Sequence, residues 1–306
     1  MPADISILII TYNRPKDTLA LLEDLNRQVE LNSHVGEILL LNNHSSISYD
    51  MVTGYLGQHP ELPVKYVDHS ENLGVARGRN FLIKKAKCPF LLVLDDDVVF
   101  DRNDAIKTIA GLFDKPHFTE HHTAVITLNI HYYVTGRPQK NALPHKRYEK
   151  YKDKSWFLTY YFTGAAHLMR KNLFDRTGYY PEDFFYGMEE YDLSYRIIDA
   201  GYTLAYDSSV KVLHKESPAG RITNKEKLGM MWYNKCVVAR RYLPQRYFYS
   251  TAVMWALEYL KKTGFDLSGM LKQLNRIRKI PSKVPAQKIS TASLAYLRLV
   301  KARLWY

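Results

Sequence analysis

Three consecutive carboxylates, Asp95-Asp96-Asp97, follow the apolar run Phe90 to Leu94 and precede Val98-Val99-Phe100. Charges this close repel one another, so the cluster is unfavourable unless a cation or hydrogen-bond donors offset it. Alternation along an extended chain sends Asp95 and Asp97 one way and Asp96 the other. Oxygen donors on one turn suit Mg²⁺ or Mn²⁺ that keeps water and substrate phosphates in its shell. A second acidic pair, Glu189-Glu190, opens a stretch with helical apolar spacing (Leu193, Ile197, Ile198) that stops at Gly201. A carboxylate at such a helix start, among Tyr and Phe, can serve as a general base. Apolar surroundings raise its pKa and the helix dipole lowers it.

These groups need elements to hold them. Ile5 to Ile10 reads as a buried strand, and Pro15 opens a helix carrying Leu19, Leu22 and Leu25. Glu37 to Leu41 and Val64 to Val67 read as further strands. Asn72-Leu73-Gly74 turns into a helix over Val75 to Ala86, and Pro89 to Leu94 is the strand that delivers the aspartates. This alternation argues for an α/β fold with a mostly parallel sheet. Functional groups then gather at the carboxyl ends of strands, where Thr11, Asn13, Asn42 and Asp95 to Asp97 fall. The second half is less regular. Thr123 to Ile130 is strand-like, 131–155 reads as a long mobile basic loop, Trp156 to Met169 is strand-like around Gly164, and Val210 to Leu213 is a strand ending in His214. Helical patterns then cover 224–242, 247–262, 267–279 and 287–304.

The chain has 306 residues, 46% of them apolar, enough for a sizeable core. No apolar run has the length of a membrane span; the longest, Tyr247 to Leu260, is broken by Ser250, Thr251 and Glu258. The first residues lack a signal-peptide pattern, and two cysteines, Cys88 and Cys236, are too few for a disulfide framework. A reducing, cytoplasmic setting is expected. The net charge of +12 is unevenly placed: residues 215–306 hold 19 Lys+Arg against 4 Asp+Glu, while residues 1–214 are near neutral. That asymmetry points to an anionic partner surface, membrane or nucleic acid.

Seven ordered segments between residues 4 and 214 resemble glycosyltransferase family 2. They are Ile7 to Arg14 (ILIITYNR), Leu39 to Ser45 (LLLNNHS), Asn72 to Asn80 (NLGVARGRN), Asp95 to Asp97, Phe162 to Ala166 (FTGAA), Phe184 to Arg196 (FFYGMEEYDLSYR) and Val212-Leu213-His214. The resemblance implies a GT-A fold over 1–215, with a nucleotide-sugar-binding half (1–100) and an acceptor half (101–215), followed by a basic helical extension over 216–306. It implies a metal-dependent, inverting transfer from a nucleotide sugar, UDP-linked as the first expectation, to a glycan or lipid-linked glycan in cell-surface polysaccharide synthesis. Asp97 and Asp95 would hold Mn²⁺ or Mg²⁺, with His214 completing the shell or contacting phosphate. Thr11, Asn13, Arg14, Asn42, Asn72, Gly74, Arg79, Asp95 and Asp96 would line the nucleotide sugar, with Asp96 on the ribose. Asn42 departs from the Asp usual in the family, which leaves the base open. Glu190 would be the base, with Glu189 the alternative. Gly164, Asp192 and Tyr186 would lie on the acceptor side, where one or two of the nearby rings, Trp156 to Tyr161 and Tyr179 to Tyr186, would face sugar.

Residues 216–306 mix Trp, Tyr and Leu with Lys and Arg, a composition suited to a membrane interface. With the lipid-linked acceptors that the resemblance implies, a peripheral position on the cytoplasmic face of the inner membrane is expected, and nucleic acid is not. Two other readings compete. Asp95-Asp96-Asp97-Val98-Val99 fits the nucleophile motif of a haloacid-dehalogenase-type phosphatase, although at least three strands precede it here and the downstream Gly-Asp-x-x-x-Asp pattern is missing. A non-enzymatic basic nucleic-acid-binding protein fits the charge and aromatics, but not an acidic cleft.

Overall fold

The computed structural model describes residues 3–217 and 223–305. Nine strands form one sheet: β1 (Ile5–Thr11), β2 (Val35–Asn42), β3 (Val64–Asp68), β4 (Phe90–Asp95), β5 (Val98–Phe100), β6 (Thr123–Tyr132), β7 (Trp156–Thr159), β8 (Ala166–Arg170) and β9 (Thr203–His214). Their order is β3-β2-β1-β4-β8-β6-β9-β5, with β7 also paired to β9. The β3-β2-β1-β4 half is parallel, and beyond it β8 runs antiparallel to both β4 and β6. The principal helices are α1 (Pro15–Asn26), α2 (Asp50–Gln58), α3 (Gly74–Lys85), α4 (Glu189–Asp199), α5 (Asn224–Tyr242), α6 (Gln245–Thr263), α7 (Leu267–Ile277) and α8 (Thr291–Leu299).

Strand alternation divides the apolar side chains between two faces. Ile5, Ile7 and Ile9 of β1, with Leu92 and Leu94 of β4, bury against Leu21, Leu22 and Leu25 of α1. Leu8, Leu91 and Val93 face the other way, toward Leu82 and Ile83 of α3 and Leu193 and Ile197 of α4. Both faces are covered, so β1, β2 and β4 read as continuous apolar runs. Register sets Asp95 beside Ile10 at the end of β1, which brings the aspartates next to the turn carrying Asn13 and Arg14.

The C-terminal helices share this second layer. Trp232, Cys236 and Val237 of α5, Phe248 and Tyr259 of α6, Ile277 of α7 and Leu297 of α8 belong to the same apolar cluster as α3 and α4. The boundary near residue 215 is thus a change in composition, with no break in the core. Helix α5 starts on a capping box, Thr223 with Glu226, and α6 stops at Gly264 in the left-handed region (φ +68°).

Two expectations need correction. The stretch Trp156 to Met169 is two strands, because residues 160–165 leave the sheet where Gly164 is pressed against the site. The segment 131–155, expected to be a mobile loop, is pinned: the Thr163 hydroxyl donates to the Ala142 carbonyl (2.7 Å), the Tyr161 hydroxyl to Leu143 (3.3 Å), and His145 stacks on Tyr151. Its polar composition hid the carbonyls that fasten it.

Candidate active site

The turn after β4 separates the three aspartates as alternation requires. Asp95 projects outward, its side chain 40% exposed, and its backbone N–H donates to Ala165 O at the end of the Gly164 segment. Asp97 is buried, and its two oxygens do different things. Oδ2 accepts from the Ser217 N–H (2.9 Å) and lies 3.3 Å from Arg14 Nη1; Oδ1 is 3.2 Å from His214 Nε2. Burial disfavours a charge on Asp97, but the hydrogen bond and charge of His214, then Arg14 and Ser217, outweigh it and hold the carboxyl below its ordinary range. The Asp97 charge likewise raises the His214 pKa against its own burial.

His214 is oriented from behind. Its Nδ1 is 3.0 Å from Gln139 Oε1, while Gln139 Nε2 donates to Glu216 (2.9 Å). A carboxylate only accepts, so the Gln139 amide must turn its NH₂ to Glu216 and its oxygen to His214. Nδ1 therefore carries the proton, and Nε2 directs its lone pair at Asp97 and Asp95 when the ring is neutral.

Donor atoms of Asp95, Asp97 and His214 all lie within 4.8 Å of one another. Two carboxylate oxygens and one imidazole nitrogen on one side, with Asp95 open to the cleft, fit a divalent ion that retains water or phosphate positions. Asp96 points away, as expected, but into the protein. It is 3% exposed, Oδ1 accepts from Arg14 (2.8 Å), and Oδ2 has no hydrogen-bond partner among the described residues. Burial, which exceeds the Arg14 attraction, pushes its pKa up to about 7. Asp96 anchors Arg14 and is not placed to meet a ribose.

The other corner is built around Arg79 of α3. It is 4% exposed, donates to Glu190 Oε1 (2.7 Å) and to the Gly164 carbonyl (3.1 Å), and lies 3.6 Å from Glu189 and 3.8 Å from Asp95. Gly164 is required here: a Cβ would collide with Glu190 Oε1 and lie 2.8 Å from Arg79 Nη2. The two glutamates differ in access, Glu190 being 16% exposed and Glu189 4%. Glu189 Oε2 has no hydrogen-bond partner among the described residues, and burial, followed by the Glu190 charge, overrides Arg79 and pushes the Glu189 pKa up to about 8.

Several expected contacts prove internal. The Thr11 hydroxyl is buried between those of Thr18 and Tyr49. Asn42 is also buried, donating to Tyr66 OH and accepting from the Ser45 N–H, so it holds its own turn. Asn13 (φ +56°) accepts from the Ser46 N–H, joining the two strand-end turns. Asn72 accepts the Gly74 N–H at the start of α3, and Gly74 (φ +69°) packs where a Cβ would sit 2.7 Å from Phe185 O. Asp192 is 1% exposed, with Arg196 on one oxygen and Arg241 and Tyr242 on the other; it fastens α4 to α5 and offers nothing to an acceptor. Tyr186 is half-buried, its carbonyl held by Asn234 of α5, and Tyr160, Tyr180 and Phe184 are core. Gln139, Lys235 and Arg303 enter the site's surroundings unannounced by any sequence motif.

A family model described as Glycosyl transferase family 2 matches residues 6–178, which include the aspartates and Gly164 and stop before Glu189 and His214. An uncharacterized glycosyltransferase of Bacillus subtilis, YwdF, is 26% identical over 58% of this chain and 62% of its own length. An uncharacterized protein of Haemophilus influenzae is 31% identical over 58% of this chain and 92% of its own. Among solved structures, a Pyrobaculum calidifontis mannosyltransferase in complex with GDP-Man and Mn²⁺ superposes with TM-score 0.61 at 15% identity, covering 99% of this chain and 81% of that one. Residues 1–349 of S. aureus TarS in complex with UDP-GlcNAc superpose with TM-score 0.62 at 19% identity, covering 97% and 88%.

Proposed function

This chain belongs to glycosyl transferase family 2 and has the GT-A fold, and we propose that it moves a sugar, with inversion, from a nucleoside-diphosphate sugar to a glycan or lipid-linked glycan hydroxyl in cell-surface polysaccharide synthesis. Membership sets aside the phosphatase and nucleic-acid readings. The observation that carries the proposal is the convergence of Asp95, Asp97 and His214 within 4.8 Å, joined through Asp95 and Arg79 to Glu190.

A divalent cation held by those three residues would neutralise the charge that develops on the departing diphosphate. The imidazole donor favours Mn²⁺ over Mg²⁺ in this set. Glu190 is the base: it takes the acceptor hydroxyl's proton as that oxygen bonds to the anomeric carbon and the bond to the diphosphate breaks. Accessibility supports Glu190 over Glu189, since the deeper carboxyl is kept protonated by burial and cannot accept a proton at neutral pH. Arg79 fixes Glu190 against Gly164 and couples it to Asp95, so donor and base keep a set separation.

The test is a thermal-shift series with UDP, GDP and their sugars, each with and without Mn²⁺. The reading requires that one nucleoside diphosphate raise Tm only with the cation; no cation-dependent shift for any of them would reject it. Uridine leads the series as the first expectation, with guanosine beside it.

Membrane association is part of the same proposal. Among the described residues no helix is long and apolar enough to cross a bilayer. Yet α6 exposes Tyr249, Val253 and Leu257 at four-residue spacing, and Phe265, Leu267 and Leu271 are exposed beyond it. Lys261, Lys262 and Lys272 lie within the same stretch, the pairing of apolar and basic groups that an anionic lipid surface accepts. Co-sedimentation with anionic vesicles, lost in Val253→Asp/Leu257→Asp, is expected; equal binding to neutral vesicles would reject the electrostatic part.

A further inference from the structure

Lys235 sits in the middle of α5, 6% exposed, one residue after the Asn234 that grips the carbonyls of Tyr186 and Gly187. Its Nζ lies 3.4 Å from the centroid of the Tyr191 ring. That ring stacks on Tyr161 at 4.5 Å and 12°. Tyr191 follows Glu190 directly in sequence, and Tyr161 precedes Gly164 by three residues. Among the described residues no carboxylate pairs with Lys235 and no acceptor hydrogen-bonds its ammonium. The field of a second cation, Arg303, reaches Tyr160, Tyr161, Tyr191 and Lys235.

A buried ammonium with only an aromatic face beside it is poorly compensated. A cation–π contact replaces part of the lost hydration, and an anion would replace far more. Burial, then the Arg303 charge, pushes the Lys235 pKa down to about 7. Lys235 lies over the centre of the Tyr191 ring and Tyr161 stacks on that ring as well, so the ammonium is the group this pair presents to a ligand.

We propose that the acceptor carries a negative group, a phosphate ester or a carboxylate, and that Lys235 binds it beside the Tyr161–Tyr191 stack while Glu190 addresses the reacting hydroxyl. This rests on the glycosyltransferase reading above. Lys235 is a specificity-determining residue in this scheme and takes no part in proton transfer.

The experiment is NMR titration of the full chain, loaded with UDP and Mn²⁺, using N-acetylglucosamine, its 6-phosphate and glucuronate as probes. Wild type is expected to bind the charged probes about tenfold or more tightly than the neutral one, the scale of a desolvated charge-assisted contact. Lys235→Met keeps the side-chain length and should erase that preference; Lys235→Arg should restore most of it. The Tm shift with UDP and Mn²⁺ should be the same in all three proteins. Preference for the phosphate over glucuronate assigns the ester, and the reverse assigns the carboxylate. Equal binding of charged and neutral probes to wild type, or a preference that survives in Lys235→Met, overturns this inference alone. Loss of the nucleotide shift in wild type overturns the donor site and this inference with it.

Discussion

The metal corner and the base corner handle the same problem, clustered carboxylates in a cleft, by opposite means. At the first, Arg14 and His214 meet Asp96 and Asp97, and Asp95 lies 3.8 Å from Arg79. At the second, Glu189 and Glu190 share Arg79, and burial holds Glu189 in its neutral form. The base corner offsets its charge by burial and by Arg79, whereas the metal corner keeps one carboxylate, Asp95, open to the cleft. That difference tells which corner recruits a cation from solution and which is free to exchange protons.

The largest expected effect comes from breaking the first corner. Asp97→Ala should lower turnover by about 10³-fold or more and abolish the Mn²⁺-dependent nucleotide shift, because charge stabilisation at the leaving group is lost; unchanged turnover would remove the assignment. Breaking the second corner should look different. Glu190→Gln should reduce kcat by about 10²- to 10⁴-fold with donor affinity intact. If Glu189→Gln gives that loss instead, the base is its neighbour. A milder substitution sharpens the contrast. Gln139→Leu frees the His214 ring and should weaken Mn²⁺ binding, followed by calorimetry in the presence of UDP, by about 10- to 100-fold. Ordinary affinity in this variant would show that the amide does not orient the ligand.

The smallest effect concerns stability. The Glu189 carboxyl has a folded pKa near 8 against an ordinary 4.5. Its contribution is fully present below about 4.5 and is lost as pH rises through about 8, because the folded state binds a proton that the unfolded state has released. Glu189→Gln mimics the protonated form. It should leave stability unchanged near pH 4 and raise it by about 1–3 kcal/mol at pH 9 in urea unfolding. A steeper fall with pH in the variant would contradict the burial argument.

The two corners also differ in how far the chain announces them. The aspartates were legible because a local rule, two-residue alternation at a strand end, fixes both their spacing and their directions. The same rule misled at Thr11 and Asn42, which also end strands: a strand-end polar group can bond to its own turn, and burial alone tells the cases apart. The base corner was legible only as an acidic helix start. Arg79 was expected near the nucleotide base or diphosphate, but the helix face it occupies depends on how α3 meets residues 164 and 190. Gln139 lay in a stretch that read as a mobile loop, and an amide carries no charge or periodicity to mark it. Lys235 lay in a stretch whose mixed basic and aromatic composition suited a membrane interface, and composition does not say which lysine of such a helix turns inward. The fold was clearer than the site, because apolar runs and helical spacing are repeated signals while a hydrogen-bond partner is a single one.

The shared apolar layer beneath α5 has one further consequence. A cut near residue 215 would bare the surfaces that Trp232, Cys236 and Leu297 now cover, on the helix that presents Glu190. Exchanging catalytic halves among relatives at that point, an obvious way to transplant sugar preference, should give insoluble chimeras. Grafts that carry residues 223–305 with their own α4 should fold, because the apolar layer then moves as one piece.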